Sequence, residues 1–200
     1  MLSSIHPLGE RTRHNTWAVT VISFIIGAVL GGSGLGALSG AMGWIVHQVV
    51  AWSVSVAFAL AVAAVSLATL GDIVRGSRAL PWPERQVNED WLTTYRGWVY
   101  GIGFGFQLGG GLFTYVTTLG VLAMVAVATL TTSPILGGII GAVFGLFRGL
   151  AVLTTSRVRD PQTLRSFHQT MTRLAQPVRR SGLIAQSVVV VVAVIVVAVV

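Results

Sequence analysis

Residues 16–71 read TWAVTVISFIIGAVLGGSGLGALSGAMGWIVHQVVAWSVSVAFALAVAAVSLATLG and contain no Asp, Glu, Lys or Arg. An α-helix rises about 1.5 Å per residue and needs about 20 apolar residues to cross a bilayer, so this run is long enough for two crossings. We predict a first transmembrane hairpin over residues 17–71, with spans at 17–38 and 43–70, a turn near residues 40–43, and an N-terminal tail at residues 1–16. A cleaved signal peptide ending among the small residues 37–40 is the alternative. The hairpin is favoured because the apolar run continues well beyond that point.

The composition of the whole chain supports the same class. The 200 residues are 54% apolar and 10% charged, with a mean hydropathy of +0.80, which excludes an ordinary water-soluble domain. The absence of cysteine excludes disulfides, thiolate nucleophiles and thiolate metal ligands. All 13 basic residues are arginine and give a net charge of +7. Nucleic-acid binding is the rival explanation of this charge, but arginines beside apolar spans favour the positive-inside rule, so no nucleic-acid partner is predicted.

Residues 72–96 are polar and are predicted to form a cytoplasmic loop. The Pro81-Trp82-Pro83 stretch interrupts any helix, and Asn88 then provides an N-cap for a helix beginning at about Glu89. The aromatic residues around this helix are typical of the headgroup level of a membrane: Trp82, Trp91, Tyr95 and Trp98.

Residues 97–155 form a second apolar block with a single charge, Arg148. Two crossings fit its length, giving a second transmembrane hairpin. Breaks are predicted at Gly109–Gly111 and at residues 131–134, so a helix interrupted at the glycines or a re-entrant piece is an alternative to two plain spans. Three spans are disfavoured because they would separate the arginine-rich segments across the membrane.

Residues 156–181 are predicted to form a basic amphipathic helix on the membrane surface. Asp160 and Pro161 read as its N-cap and first helical residue, and Pro177 is expected to stop it. A partner-binding helix is the alternative. Residues 182–200 are almost wholly apolar and are predicted as a fifth span. The predicted protein is therefore an all-α polytopic bundle of the inner (plasma) membrane of a bacterium, with its N-terminus and arginine-rich loops cytoplasmic.

The two apolar blocks can be superposed as an internal repeat. A shift of 77 matches Gly32 with Gly109 and Gly43 with Gly120, while a shift of 76 matches Gly27 with Gly103. Duplicated helical hairpins with paired, glycine-broken segments would indicate a transporter-like site near the bilayer midplane. The alternative is that the glycines serve close helix packing.

A family resemblance arises from the sequence GIGFGFQLGGG at residues 101–111, followed by Thr114, Thr117 and Thr118. This stretch resembles the glycine-rich first helix of the cytochrome c biogenesis and thiol-reductant membrane family and of related small-solute exporters. Because the chain lacks the paired membrane cysteines of the thiol branch, the redox relay is not carried over. The resemblance implies a duplicated helical core with a central cavity, closer to the sulfite or heavy-metal exporters.

Candidate site residues follow from polar groups inside the apolar blocks. Placing a charged guanidinium inside a membrane span raises the free energy of insertion. Arg148 is therefore expected to extend its side chain toward the membrane surface (snorkelling), to hydrogen-bond to neighbouring groups, or to bind an anion. His47 is predicted mainly as a helix-to-helix hydrogen-bonding residue, and no metal site or catalytic motif is predicted. The substrate-binding set is His47, Gln107, Gly109, Gly110, Gly111, Thr114, Tyr115, Thr118 and Arg148.

The leading functional hypothesis is a transporter or exporter-like protein, not an enzyme, that binds or moves a small solute, for which an anion is one candidate. The second hypothesis is a non-catalytic subunit that packs against a larger membrane complex. A third is a membrane enzyme with a bound cofactor, anchored by His47 and Arg148; the cofactor is unknown. The predicted partners are the lipid bilayer, a small solute, and either further copies of the chain or other membrane subunits.

Overall fold

The computed structural model describes residues 5–76, 91–111 and 119–199, and these are helical almost throughout, with no strand among them. The all-α prediction is thus confirmed. Within these three ranges, eight α-helices and one 3-10 helix follow in this order: α1 Pro7–Thr12, α2 Trp17–Val49, α3 Val54–Arg75, α4 Trp91–Thr94, α5 Gly97–Gly110, α6 Gly120–Leu130, α7 Pro134–Leu150, the 3-10 helix Ala151–Arg157, and α8 Pro161–Val199.

Three segments in the described part of the chain are long and apolar enough to cross a membrane. They are Trp17–Val49, Val54–Arg75, and Pro134–Arg157, in which α7 continues into the 3-10 helix. Helix α6 is a shorter apolar helix. These segments make the chain a membrane protein by length and composition, whereas the count of five spans stays a prediction.

Helix α2 is the central element, and the glycine contacts fix the directions of its neighbours. Along α5, glycines 101, 105 and 109 approach positions 20, 24 and 28 of α2 in the same order, so the two helices are parallel. Along α7, glycines 137, 141 and 145 approach positions 36, 32 and 28, so α7 is antiparallel to α2. Helix α6 reaches Gly43 of α2 through Thr129.

The glycines of α2 explain why the predicted turn near residues 40–43 is wrong. A methyl group added at Gly36 would overlap the carbonyl oxygen of Gly137, and one added at Gly40 would overlap that of Ser133. These positions are therefore buried contacts between helix backbones, the small-residue packing that membrane helices favour. The helix runs unbroken to Val49, and the chain turns at residues 50–53 instead.

Two further boundaries differ from prediction. Helix α3 extends to Arg75, so Asp72 lies inside the helix rather than in the polar loop. Helix α8 passes through Pro177 without stopping and joins the predicted surface helix to the predicted fifth span. The surrounding residues 169–178 are exposed, so the carbonyl that proline leaves unpaired can turn outward to another partner. The predicted helix start at Glu89 lies outside the described residues.

Residues 5–16, predicted as a tail, pack against the helix bundle through the buried residues Ile5, His6 and Glu10. Ile5 and the aromatic rings of Phe24, Tyr100 and Phe104 belong to one buried cluster with Val152. The hydroxyl of Thr155 donates to the carbonyl oxygen of Ile5 at 2.8 Å, which ties the 3-10 helix to the N-terminal segment. The beginning of the described chain is thus packed where α2 and α5 start.

Candidate functional site

The predicted break at Gly109–Gly111 is present. Helix α5 ends at Gly110, and Gly111 has φ +63°, a left-handed conformation in which its N–H donates to the carbonyl oxygen of Leu108 at 3.2 Å. The next described helix, α6, begins at Gly120. The second predicted break also exists, because α6 ends at Leu130 and Ser133 caps α7 through the N–H of Leu136. Thr114, Tyr115 and Thr118 lie outside the described residues.

The break lies about halfway along α2 and beside the last turn of α3. Gly109 contacts α2 at Ala28, while Thr129, near the end of α6, contacts Gly43. A side chain built at Gly71 of α3 would meet the side chain of Leu119, just before α6 begins. Helices α5 and α6 therefore cover successive parts of α2.

A buried carboxylate holds the beginning of α6. The N–H of Leu119 donates to both carboxylate oxygens of Asp72, at 2.9 and 3.1 Å, and Asp72 is 9% exposed. A negative charge is favourable there because the first N–H groups of a helix have no partner within the helix and carry a partial positive charge. Asp72 is not among the predicted site residues, because residues 72–96 are predicted as a loop. The available signal was the apolar helical pattern that continues through Ile73 and Val74.

Arg148 of α7 lies beside Gly111 at the end of α5, whereas Asp72 lies beside the beginning of α6. One of its terminal nitrogens would be 3.5 Å from a side chain built at Gly111, and its guanidinium carbon is 5.4 Å from the ring centre of Phe144. A cation beside the carboxyl end of α5 complements the partial negative charge of that end. The structure thus brings Arg148 together with the glycine-rich end of α5, as the predicted site requires.

Of the other described residues in the predicted set, Gln107 and Gly109 lie on α5, and His47 lies near the end of α2. Gly109 is buried against the carbonyl oxygen of Ala28, and Gln107 is half-buried on α5. His47 is 19 residues beyond Ala28 along α2, a distance of about 28 Å. Its Nδ1 accepts from the N–H of Trp52 at 3.5 Å, and the two rings meet edge to face. The structure therefore does not bring His47 to the break.

A second polar cluster was not predicted at all. The carboxylate of Glu10 is fully buried, and the Tyr100 hydroxyl lies 2.5 Å from both of its oxygens. Thr20 donates to the same carboxylate at 2.8 Å, and Arg13 forms an ion pair with it at 3.2 Å. Every partner holds the carboxylate in place, which is the condition under which a buried charge is tolerated. The cluster fastens α1 to α2 and α5.

Metal-ligand chemistry is not apparent in the described ranges. Within residues 5–76, 91–111 and 119–199, no three His, Asp or Glu residues gather closely enough to hold a metal ion. The ionisable groups near the break are instead engaged with helix ends. Arg148 therefore places a positive charge at the end of α5, and Asp72 places a negative charge at the beginning of α6.

Comparison with known proteins gives one curated relative, while no family model and no solved structure matches the chain. The methylamine utilization protein MauF of Methylophilus methylotrophus is 32% identical over 153 residues, which cover 74% of this chain and 50% of the relative. The chain thus spans about half the length of that protein. Over about three quarters of its own length, the chain is similar to a protein named for methylamine utilization.

Proposed function

We propose that this membrane protein binds a small anionic solute at the break between α5 and α6 and carries it across the bilayer. The observation that supports the proposal is the position of Arg148 beside Gly111, where a helix ends inside the bundle. Interrupted helices place polar backbone at a cavity without exposing it to lipid, which is the usual arrangement of a transporter site. The resemblance of residues 101–111 to the exporter families is in keeping with it.

The roles of the charged groups follow from their partners. The carboxylate of Asp72 is engaged by the Leu119 N–H and fixes the beginning of α6. Arg148 of α7, which lies beside Gly111, is the cation proposed to meet an anion, and Gln107 of α5 is proposed as a polar neighbour. Thr114, Tyr115 and Thr118 are predicted to complete the site because they lie between Gly111 and Leu119 in the sequence.

The route to the site is proposed from the neighbouring arginines. Arg75 ends the apolar span of α3, and Arg179 donates to the backbone oxygen of Asp72 at 2.6 Å. Arginines at the end of a span are typical of the headgroup level on the cytoplasmic side. The break beside this end is therefore proposed to receive solute from the arginine-bearing side, with α6 moving relative to α5 about Gly111.

The experiment is flux into vesicles reconstituted with the purified chain alone. Sulfate, phosphate and acetate serve as probes, and unfolding in the presence of each salt reports binding. The Arg148→Gln variant is expected to lose at least tenfold in flux and to lose the stabilisation by the anion. Arg165→Gln is the matched control, since Arg165 is exposed on α8. If Arg148→Gln kept both the flux and the stabilisation, the anion proposal would be wrong.

An accessory role in a membrane complex is the second candidate. This chain matches only 50% of the relative named for methylamine utilization, and α8 presents many exposed apolar residues that a partner subunit or another copy could cover. In that case the chain would co-purify with a membrane partner and show no flux alone. Flux from the isolated chain would favour the first candidate.

A further inference from the structure

Residues 5–15 form an N-terminal strap across the end of the bundle where α2, α5 and the 3-10 helix meet. The N–H of Leu8 donates to the carbonyl oxygen of Val158 at 3.2 Å, and the hydroxyl of Thr155 donates to the carbonyl oxygen of Ile5 at 2.8 Å. Ile5 and Val158 are at most 2% exposed. The strap is thus a packed part of the described structure, attached on one side to the 3-10 helix.

The strap also holds the first turn of α5. The side-chain oxygen of Asn15 accepts from the N–H of Gly97 at 3.3 Å, and its amide nitrogen donates to the Tyr100 hydroxyl at 3.4 Å. Tyr100 in turn binds the buried carboxylate of Glu10. The first N–H groups of a helix have no partner within the helix, so the Asn15 contact completes the beginning of α5. Movement of the strap would therefore release the first turn of α5 as well.

The beginning of α1, within the strap, depends on one neutral imidazole. His6 is the N-cap of α1, and its Nδ1 accepts from the N–H of Gly9 at 3.0 Å. His6 is 9% exposed, and a methyl group built at Gly9 would lie 3.2 Å from two atoms of its ring. Nδ1 can accept only while it carries no proton, so protonation would place a donor opposite a donor. The cap would be lost, and a positive charge would be buried in its place.

The surroundings of His6 disfavour its charged form. Burial is the largest cause that lowers the pKa of His6 from 6.5, and Arg13 of α1 lowers it further. His168 of α8 acts in the same direction, while Glu10 opposes both, although its carboxylate is already held by Tyr100. Among the described residues, these are the charged or titratable groups that act on His6. Neutral His6 therefore stabilises the closed strap above pH 6.5, and this stabilisation is lost as the pH falls through the folded-state pKa.

We propose that the strap is released by acid: protonation of His6 detaches residues 5–15 and frees the first turn of α5 while the rest of the bundle stays folded. The bundle can stay folded because α2 packs against α5 and α7 through glycine backbones, which do not titrate. The strap would thus make the position of α5 depend on the pH at this end of the protein. This inference does not rest on the proposed solute site.

The test measures distances between pairs of spin labels on the full chain by pulsed electron paramagnetic resonance. The chain has no cysteine, so labels can be placed at Thr12→Cys on α1 and Leu153→Cys on the 3-10 helix, both exposed positions. One short distance is expected at pH 7.5, and a second, longer distance should appear at pH 5, its share rising about threefold or more. A control pair within the bundle, Val19→Cys with Leu153→Cys, should keep its distance.

Substitutions of two histidines identify the group that responds to acid. His6→Asn keeps a side-chain acceptor for the Gly9 N–H at every pH, so its strap should stay closed at pH 5. His6→Ala has no acceptor and should show the longer distance already at pH 7.5. His14→Asn is the matched control, because His14 is exposed and has a φ of +57° that asparagine tolerates. This variant should open like the wild type.

Three results would overturn the inference. The first is a strap distance in the wild type that is the same at both pH values. The second is opening of His6→Asn at pH 5 to the same extent as the wild type, since another group, such as the Glu10 carboxylate, would then be the one that responds. The third is a change in the control pair as well, because acid would then unfold the whole bundle rather than release the strap.

Discussion

Replacing Gly36 by alanine is expected to weaken the packing of α2 against α7. The new methyl group would overlap the carbonyl oxygen of Gly137 and would lie 2.9 Å from the carbonyl carbon of that residue and 3.0 Å from the Cα atom of Gly141. Ordinary van der Waals contact begins at about 3.4 Å. All three obstacles are backbone atoms of one rigid helix, so α7 must move away by several tenths of an ångström or more.

The size of the effect is a balance of two terms. Overpacking of a close-packed contact costs typically about 1–3 kcal/mol, while alanine gains up to about 1 kcal/mol over glycine in helix propensity. The net loss in the free energy of unfolding is therefore expected to be about 1–2 kcal/mol. Gly34→Ala is the matched control, because nothing lies within 4 Å of a methyl group at that position of the same helix.

Reversible unfolding by SDS in mixed micelles, followed by tryptophan fluorescence or circular dichroism, measures both variants. Gly34→Ala should equal the wild type or exceed it slightly. If Gly36→Ala were as stable as Gly34→Ala, the close approach of the α2 and α7 backbones would be refuted. The glycines would then need another explanation.

Three further outcomes are expected, each measured by the same unfolding assay. Tyr100→Phe should cost about 1–3 kcal/mol because the buried Glu10 carboxylate loses a hydroxyl donor, whereas Tyr95→Phe, at a side chain 48% exposed, should change little. Asp72→Ala should cost about 0.5–2 kcal/mol through the lost cap of α6, and hydrogen exchange should rise in the first turn of that helix before it rises elsewhere. Burial and the neighbouring Arg13 lower the pKa of His6 from 6.5, so neutral His6 contributes stability that is complete above pH 6.5 and is lost as the pH falls through the folded-state pKa. His6→Asn should therefore reduce the change in the free energy of unfolding between pH 7.5 and 5. An unchanged pH dependence in this variant would contradict the prediction.

Much of the fold could be predicted because membrane helices follow from apolar runs. The starts of α2 at Trp17, of α5 at Gly97 and of α8 at Pro161 agree with the predicted segment boundaries, as do the two breaks in the second block. Glycine was harder to interpret, since the same residue type ends α5 at Gly111 and packs inside α2 at Gly36. Only the position of the neighbouring backbone distinguishes these roles, and the sequence does not contain it.

The candidate site was predictable only in part, because the sequence does not show which distant residues become neighbours. Arg148 stood out as a lone charge in an apolar block, and the break at Gly111 followed from three successive glycines. Leu119 lies 47 residues from Asp72, and Tyr100 lies 90 residues from Glu10, so local patterns could not reveal these two contacts. His47 illustrates the converse, because a polar residue within an apolar run can have a local partner, here Trp52, rather than a share in a distant site.

The partnership of Glu10 with Tyr100 constrains the order in which the chain can mature in the membrane. During synthesis, Glu10 is added to the chain 90 residues before Tyr100, whose hydroxyl donates to the Glu10 carboxylate. Until α5 has been synthesised and inserted, this carboxylate lacks its Tyr100 donor and has only the Thr20 hydroxyl and Arg13 as side-chain partners among the described contacts. Defects in α5 would therefore leave the N-terminal segment open on nascent chains, where proteases that survey the membrane surface could cut it.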